Sequence, residues 1–164
     1  MNGRKMKKMY LAIFFALILI PFTVASASKP EGPINVLNTN INALYTFIPQ
    51  GNGNTKLIVE LSYDWECSTH PEFNGHAYQI ATGIAREKEN SMHFDSLSGY
   101  GVFTSTGVEG TITYKIHNNF MYEPFGIFAD RLTLWKGTGY FEDIHGYAEL
   151  VFENMSFDMY VHYD

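Results

Sequence analysis

The chain has 164 residues, a net charge of −6 and 16% aromatic residues, and Cys67 is its only cysteine. The length suits one domain with its own core, and a lone cysteine excludes an internal disulfide, so stability must rest on burial and hydrogen bonding. The acidic balance excludes nucleic acid and anionic membrane surfaces as natural partners.

Residues 1–27 have the order of a secretory signal peptide. Arg4, Lys5, Lys7 and Lys8 precede an apolar run from Met9 to Ile20, then Pro21 and the small triplet Ala25-Ser26-Ala27. The run is shorter than the roughly 20 residues that span a bilayer, so cleavage after Ala27 is expected rather than stable membrane insertion. Removing 27 of the 164 residues leaves 137, read as one domain over residues 28–164. Four of the eleven basic residues and no acidic ones leave with the leader, so the remainder carries seven basic against seventeen acidic residues, a net charge near −10. The expected location is secreted or extracytoplasmic.

Beyond the linker Ser28–Pro33 the chain alternates with period two, the mark of half-buried strands. In Lys56–Asp64, Leu57, Val59, Leu61 and Tyr63 share one face, opposite Lys56, Ile58, Glu60, Ser62 and Asp64. Thr111–His117 repeats the pattern with Ile112, Tyr114 and Ile116, and Ser156–Tyr163 with Phe157, Met159, Val161 and Tyr163, leaving Ser156, Asp158 and His162 on the polar side. Further strands are expected from Ile41, His76, Gly99, Gly126 and His145. Turn signals separate them at Pro49–Asn54, Lys88–Ser91, Thr106-Gly107, His117–Asn119 and Gly137–Gly139. Trp65–Gly75 is too irregular for a strand and reads as a long connection. Short strands at this spacing predict an all-β sandwich or barrel. A barrel of about eight strands holds either packed side chains or one small ligand.

Near the C-terminus a strand should rise to Trp135, bend at Lys136-Gly137-Thr138-Gly139 and resume at Tyr140-Phe141, with Gly146 marking a further bend. Gly137, Thr138, Gly139, Phe141, Gly146, Tyr147 and Ala148 resemble the signature hairpin of the allene oxide cyclase and dirigent superfamily, with Lys136 in place of the first glycine of the fuller pattern. The resemblance implies a single antiparallel, eight-stranded, calycin-like barrel with an apolar cavity, an exported location and frequent homo-oligomers. The family's pocket residues lie outside this hairpin and find no match here, so no catalytic residue is carried over.

The densest group of metal-ligand types is Asp64, Glu66, Cys67, His70, Glu72 and His76. Cys67, His70 and His76 are the candidate metal ligands, since a thiolate and two imidazoles suit zinc or copper. The run lacks a second Cys/His pair, and a polar surface loop is the ordinary alternative. Glu142, Asp143 and His145 could serve acid–base chemistry, although carboxylates at turns are ordinarily solvated. Asn154-Met155-Ser156 matches the N-glycosylation pattern. No GxSxG, phosphate-binding glycine loop or HExxH occurs. The sequence therefore points to an exported, non-catalytic barrel that binds a small apolar or aromatic molecule in its interior, with no cofactor. The alternatives are a dirigent-like or cyclase-like enzyme acting on a reactive apolar intermediate, and a structural or cell-surface interaction protein with a packed barrel and an exposed apolar patch.

Overall fold

A computed structural model describes residues 33–88, 91–118, 121–122, 126–127 and 131–164. The leader therefore lies outside the described residues, as does part of the Lys88–Ser91 turn. The described chain is all-β apart from one turn of 3₁₀ helix at Pro71–Phe73. Its strands are β1 (Ile34–Gly51), β2 (Asn54–Glu66), β3 (Gly75–Lys88), β4 (Ser91–Ser105), β5 (Gly110–Asn118), β6 (Met121–Tyr122), β7 (Gly126–Ile127), β8 (Arg131–Gly139), β9 (Ile144–Val151) and β10 (Ser156–Tyr163). Eight of them form one antiparallel sheet in the order β1-β10-β9-β8-β5-β4-β3-β2, closed into a ring, while β6 and β7 pair, among the described residues, with each other. The ring shuts through four residue pairs, Ile34–Leu37 of β1 against Met159–Ser156 of β10.

The alternation is a division between inside and outside. Leu57, Val59, Leu61, Tyr63 and Trp65 of β2 are buried, as are Ile112, Tyr114 and Ile116 of β5 and Phe157, Met159 and Val161 of β10. Trp65 is the hub: its ring stacks on Phe103 with centroids 4.4 Å apart, on Tyr114 at 5.8 Å, and meets Phe157 edge-on at 6.3 Å. One end is plugged by Phe73 of the 3₁₀ turn against Phe141, 5.5 Å apart. Each such buried ring contributes about 1.5–3 kcal/mol by leaving water.

Large rings on β2 and β5 demand small residues opposite. On β3 the buried positions are Ala77, Gln79, Ala81 and Ala85, and its large side chains Tyr78, Ile80 and Ile84 lie outside. On β4 a Cβ at Gly101 would collide with the ring of Tyr114, so the glycine is the floor of that ring's seat, while Tyr100 and Val102 face outward. Size alternation on β3, and around Gly101 on β4, is thus inverted relative to β2 and β5, while Phe103 of β4 keeps a large ring inside.

The glycine hairpin differs from expectation in where it turns. β8 runs unbroken through Lys136, Gly137 and Thr138 to Gly139, and the turn is Tyr140–Asp143. A register shift opposite Thr113 and Tyr114 leaves Trp135 as an extra residue, a β-bulge that bends the strand without ending it. Gly137 lies under the backbone carbonyl of Phe141, where a Cβ would collide, and Gly139 adopts φ +60°. Together they let the turn fold back so that Phe141 enters the end of the ring. Ser156, expected on the polar face, is fully buried because it accepts a hydrogen bond from Asn35 Nδ2 (2.9 Å) and donates one to Asn154 Oδ1 (2.7 Å).

β1 begins earlier than its alternation suggested and serves two roles. Its first residues close the ring; then a register shift between Thr39 and Asn42, with Asn40 at φ +51°, turns it away from β10. From Asn42 to Gly51 it pairs only with β2 among the described residues.

Candidate functional site on the outer wall

The three proposed metal ligands do not converge. Cys67 is buried just beyond β2, its N–H donating to Asn74 Oδ1 at 2.5 Å and its Sγ 3.5 Å from Thr69 Oγ1. His70 turns its Nδ1 to Thr69 Oγ1 at 2.9 Å. His76 stands on the outer face of β3, its Nδ1 2.9 Å from Asp64 Oδ1. That contact, followed by the hydrogen bond Asn40 Nδ2 donates, holds the Asp64 carboxyl below its ordinary value of 3.8. Among the described residues no group of three or more His, Cys, Asp or Glu side chains is placed to hold a metal. His145 approaches Asp164, 3.3 Å away, and its ring stacks on His162 across β9 and β10, while Asp143, at φ +65°, shapes the β8–β9 turn.

Inside the ring the polar groups serve one another. Tyr63 donates to Gln79 Oε1 at 2.8 Å, Tyr114 reaches the same oxygen at 3.3 Å, and the two phenol oxygens are 3.1 Å apart. Burial pushes both phenols above their ordinary value of 10.0. Beside them Asn38 donates to the Met155 carbonyl at 2.8 Å, while its buried Oδ1 has no partner. The space bordered by Asn38, Tyr63, Gln79, Met155 and Phe157 is about 20 Å³, on the scale of one water molecule.

The outer wall is different. Register carries two rows across it: Ile80 (β3), Tyr100 (β4), Lys115 (β5) and Thr133 (β8), and beside it Thr82, Ser98, His117 and Arg131. Between the rows over β3, β4 and β5 lies an open groove of about 440 Å³, within the range of small-molecule sites. Tyr100, 51% exposed, lines it, and Trp135, 53% exposed, stands beside it, its ring centroid 5.9 Å from that of Tyr100 and its ring centre 4.7 Å from Lys115 Nζ. Trp135 follows the inward Leu134 and so faces out by simple alternation; the β8 bulge takes effect after it, leaving Lys136 outside as well and bringing Gly137 opposite the buried Ile112. Among the described residues Thr82, Ser98 and His117 have no hydrogen bond or ion pair, and Lys115 meets only the Trp135 ring.

Charge is unevenly spread over this wall. Lys115, Arg131 and Lys136 are half of the described lysines and arginines, the others being Lys56, Arg86 and Lys88, and all three sit on β5 and β8 with His117 between them. Arg131 lies over the Tyr147 ring at 4.4 Å, in register with Glu149. On an acidic chain, β5 and β8 present a basic and aromatic face. From the sequence, Trp135, Lys136 and Tyr147 enter only as parts of the hairpin region, and no site is expected from these residues. The available signal was the placement of Tyr100 between Gly99 and Gly101 and of Ile80 between Gln79 and Ala81, where the large side chains face outward.

Comparison with protein-family models, with curated proteins and with solved structures found no match to this chain.

Proposed function

We propose that the protein is an exported interaction protein, released by cleavage after Ala27, that binds an anionic carbohydrate in the outer groove over β3, β4 and β5. The observation that carries this reading is the groove itself, where the half-exposed Tyr100 ring, with Trp135 beside it, meets the Thr82 and Ser98 hydroxyls, the His117 imidazole and the Lys115 ammonium, which rests on the Trp135 ring, on an otherwise acidic chain. Exposed aromatic rings offer flat faces to the C–H faces of sugar rings. Thr82 and Ser98 match sugar hydroxyls, and Lys115, with His117 when protonated, matches a carboxylate or sulfate. The role is binding: Ser98 and His117 lie opposite one another, but among the described residues no hydrogen bond joins them.

The interior reading, in which the ring holds or transforms a small apolar or aromatic molecule, ranks second. The Tyr63, Gln79 and Tyr114 cluster supports it, but a space of about 20 Å³ would have to enlarge greatly to admit such a ligand. We also infer a calycin-like, allene oxide cyclase-like barrel, on the strength of the eight-stranded antiparallel ring and the place of the glycine hairpin at β8 and β9.

The chain has two tryptophans, Trp65 buried at the hub and Trp135 exposed on the groove, so its fluorescence separates inside from outside. Titration with an oligogalacturonate should shift the emission to shorter wavelength, weaken as salt is added, and lose its response in Trp135→Ala. An unchanged spectrum with both acidic and neutral oligosaccharides would remove the proposal.

A further inference from the structure

We propose that the edge of β1 from Asn42 to Gly51 that pairs with no strand among the described residues is a self-association surface, on which a second copy of this chain adds its own β1 antiparallel, joining two rings through one continuous sheet. This site lies on a different strand from the carbohydrate groove and does not depend on it.

An edge strand exposes a row of unpaired N–H and C=O groups, and proteins ordinarily blunt such rows with charge, proline or a bulge. Here the blunting stands only at the margins. The bulge at Asn40 lies before the segment and Pro49 ends it, while Ala43-Leu44-Tyr45-Thr46-Phe47-Ile48 between them carries no charged residue. Indeed Ile41–Gly51 has no Asp, Glu, Lys, Arg or His in a chain otherwise rich in carboxylates. Leu44 is 61% exposed, Phe47 53% and Ile48 39%, an apolar load without a covering element among the described residues.

The occupant follows from self-complementarity. A two-fold axis through Thr46 places Thr46 against Thr46 of the second copy, Tyr45 against Phe47, Leu44 against Ile48, and Ala43 against Pro49. Thr–Thr, aromatic–aromatic and aliphatic pairs are those that stabilise cross-strand contacts. The neighbouring strand agrees: Leu44 is in register with Glu60 and Ile48 with Lys56. Each joined row then reads Glu60, Leu44, then Ile48 and Lys56 of the second copy, so opposite charges flank two apolar residues and no like charges meet. An unrelated extended peptide could use the same hydrogen bonds, but would not supply this matched register. Two acidic molecules repel one another over most of their surfaces, and this edge is the uncharged window through which they can approach.

The test is the concentration dependence of molar mass by sedimentation equilibrium of the purified protein. Wild type should approach twice the monomer mass. Thr46→Lys and Thr46→Glu each set a like charge against itself at the axis and should weaken association about tenfold or more. Mixing the two variants should restore the dimer, a result that damage to folding would not produce. Circular dichroism of each variant checks that the ring remains intact. The proposal is overturned if wild type stays monomeric at every concentration, if Thr46→Lys dimerises as wild type does, or if the folded variants fail to rescue one another.

Discussion

Tyr114 and Tyr100 belong to neighbouring strands and differ in almost everything else. Tyr114 is fully buried, its ring seated over Gly101 and its hydroxyl joined to Tyr63 and Gln79. Tyr100, one residue from that glycine, is half in water beside Trp135. The ring's interior has finite volume, and rings from β2 and β5 occupy it. The large side chains Tyr78, Ile80 and Ile84 on β3 and Tyr100 and Val102 on β4 therefore stand outside, where their exposure lacks a packing purpose and becomes available to a partner, while Phe103 of β4 goes in and stacks on Trp65. Inside, aromatic residues support the fold; outside, the same residue types form a surface.

The sharpest way to break the distinction is to remove the hub. Trp65 touches Phe103, Tyr114 and Phe157, so Trp65→Ala should lower stability by about 3–5 kcal/mol, read from urea unfolding. Trp135→Ala loses one exposed ring and its contact with Lys115, a change of about 0.5–1 kcal/mol, while abolishing the fluorescence response to ligand. Comparable losses in the two variants would mean that inside and outside are not energetically distinct.

That distinction marks how far the amino-acid pattern could be read. The inward sets on β2 and β5, and Phe157, Met159 and Val161 on β10, followed from alternation, because polar residues stand opposite the apolar ones; at the ends of β10 alternation failed, with Tyr163 37% exposed and Ser156 buried. On β3, with Tyr78, Ile80 and Ile84 opposite Ala77, Gln79 and Ala81, both faces are apolar enough to be inside. Only the volume of rings on other strands decides between them, and that is a non-local quantity. The groove was illegible for the same reason: its residues are far apart in the chain and meet only through the register of β3, β4 and β5. The metal-ligand expectation failed to converge locally, because a three-residue spacing such as Cys67 to His70 says nothing of which side of the wall each residue takes.

Alkaline pH should act on the interior before the exterior. Below pH 10.0 Tyr63 and Tyr114 are protonated in both folded and unfolded chains, so their contribution is complete. Above it the unfolded phenols ionise while burial keeps the folded ones protonated, so the unfolded state binds fewer protons and stability falls. The loss should be about 1.4 kcal/mol per pH unit for each buried phenol until its raised folded value is reached. Tyr163, pushed up to about 12 mainly by burial, adds to the decline. Tyr63→Phe should make the fall shallower in urea unfolding between about pH 9 and about pH 12. Equal slopes in wild type and Tyr63→Phe would count against a buried phenol pair.

The smallest effect belongs to the exposed anchor of the β1 bulge. Asp64 meets His76 at 2.9 Å and accepts the Asn40 amide at 2.7 Å, so one carboxylate ties β3 to the residue that turns β1 away from β10. Both contacts lie in water, and the worth of such a pair is a few tenths to about 1 kcal/mol. Its sign is set by the lowered carboxyl: the contribution is present above pH 3.8 and disappears as pH falls through the lower folded value. Asp64→Ala should therefore differ slightly from wild type at neutral pH and converge with it in acid. Two changes at Asn40 separate the bond from the backbone. Asn40→Gly keeps the positive φ and loses only the amide, so it should resemble Asp64→Ala, whereas Asn40→Val also forces a β-branched residue into that conformation, costing about 1–3 kcal/mol more. If glycine and valine proved equally mild, β1 would be leaving the ring for some reason other than the bulge.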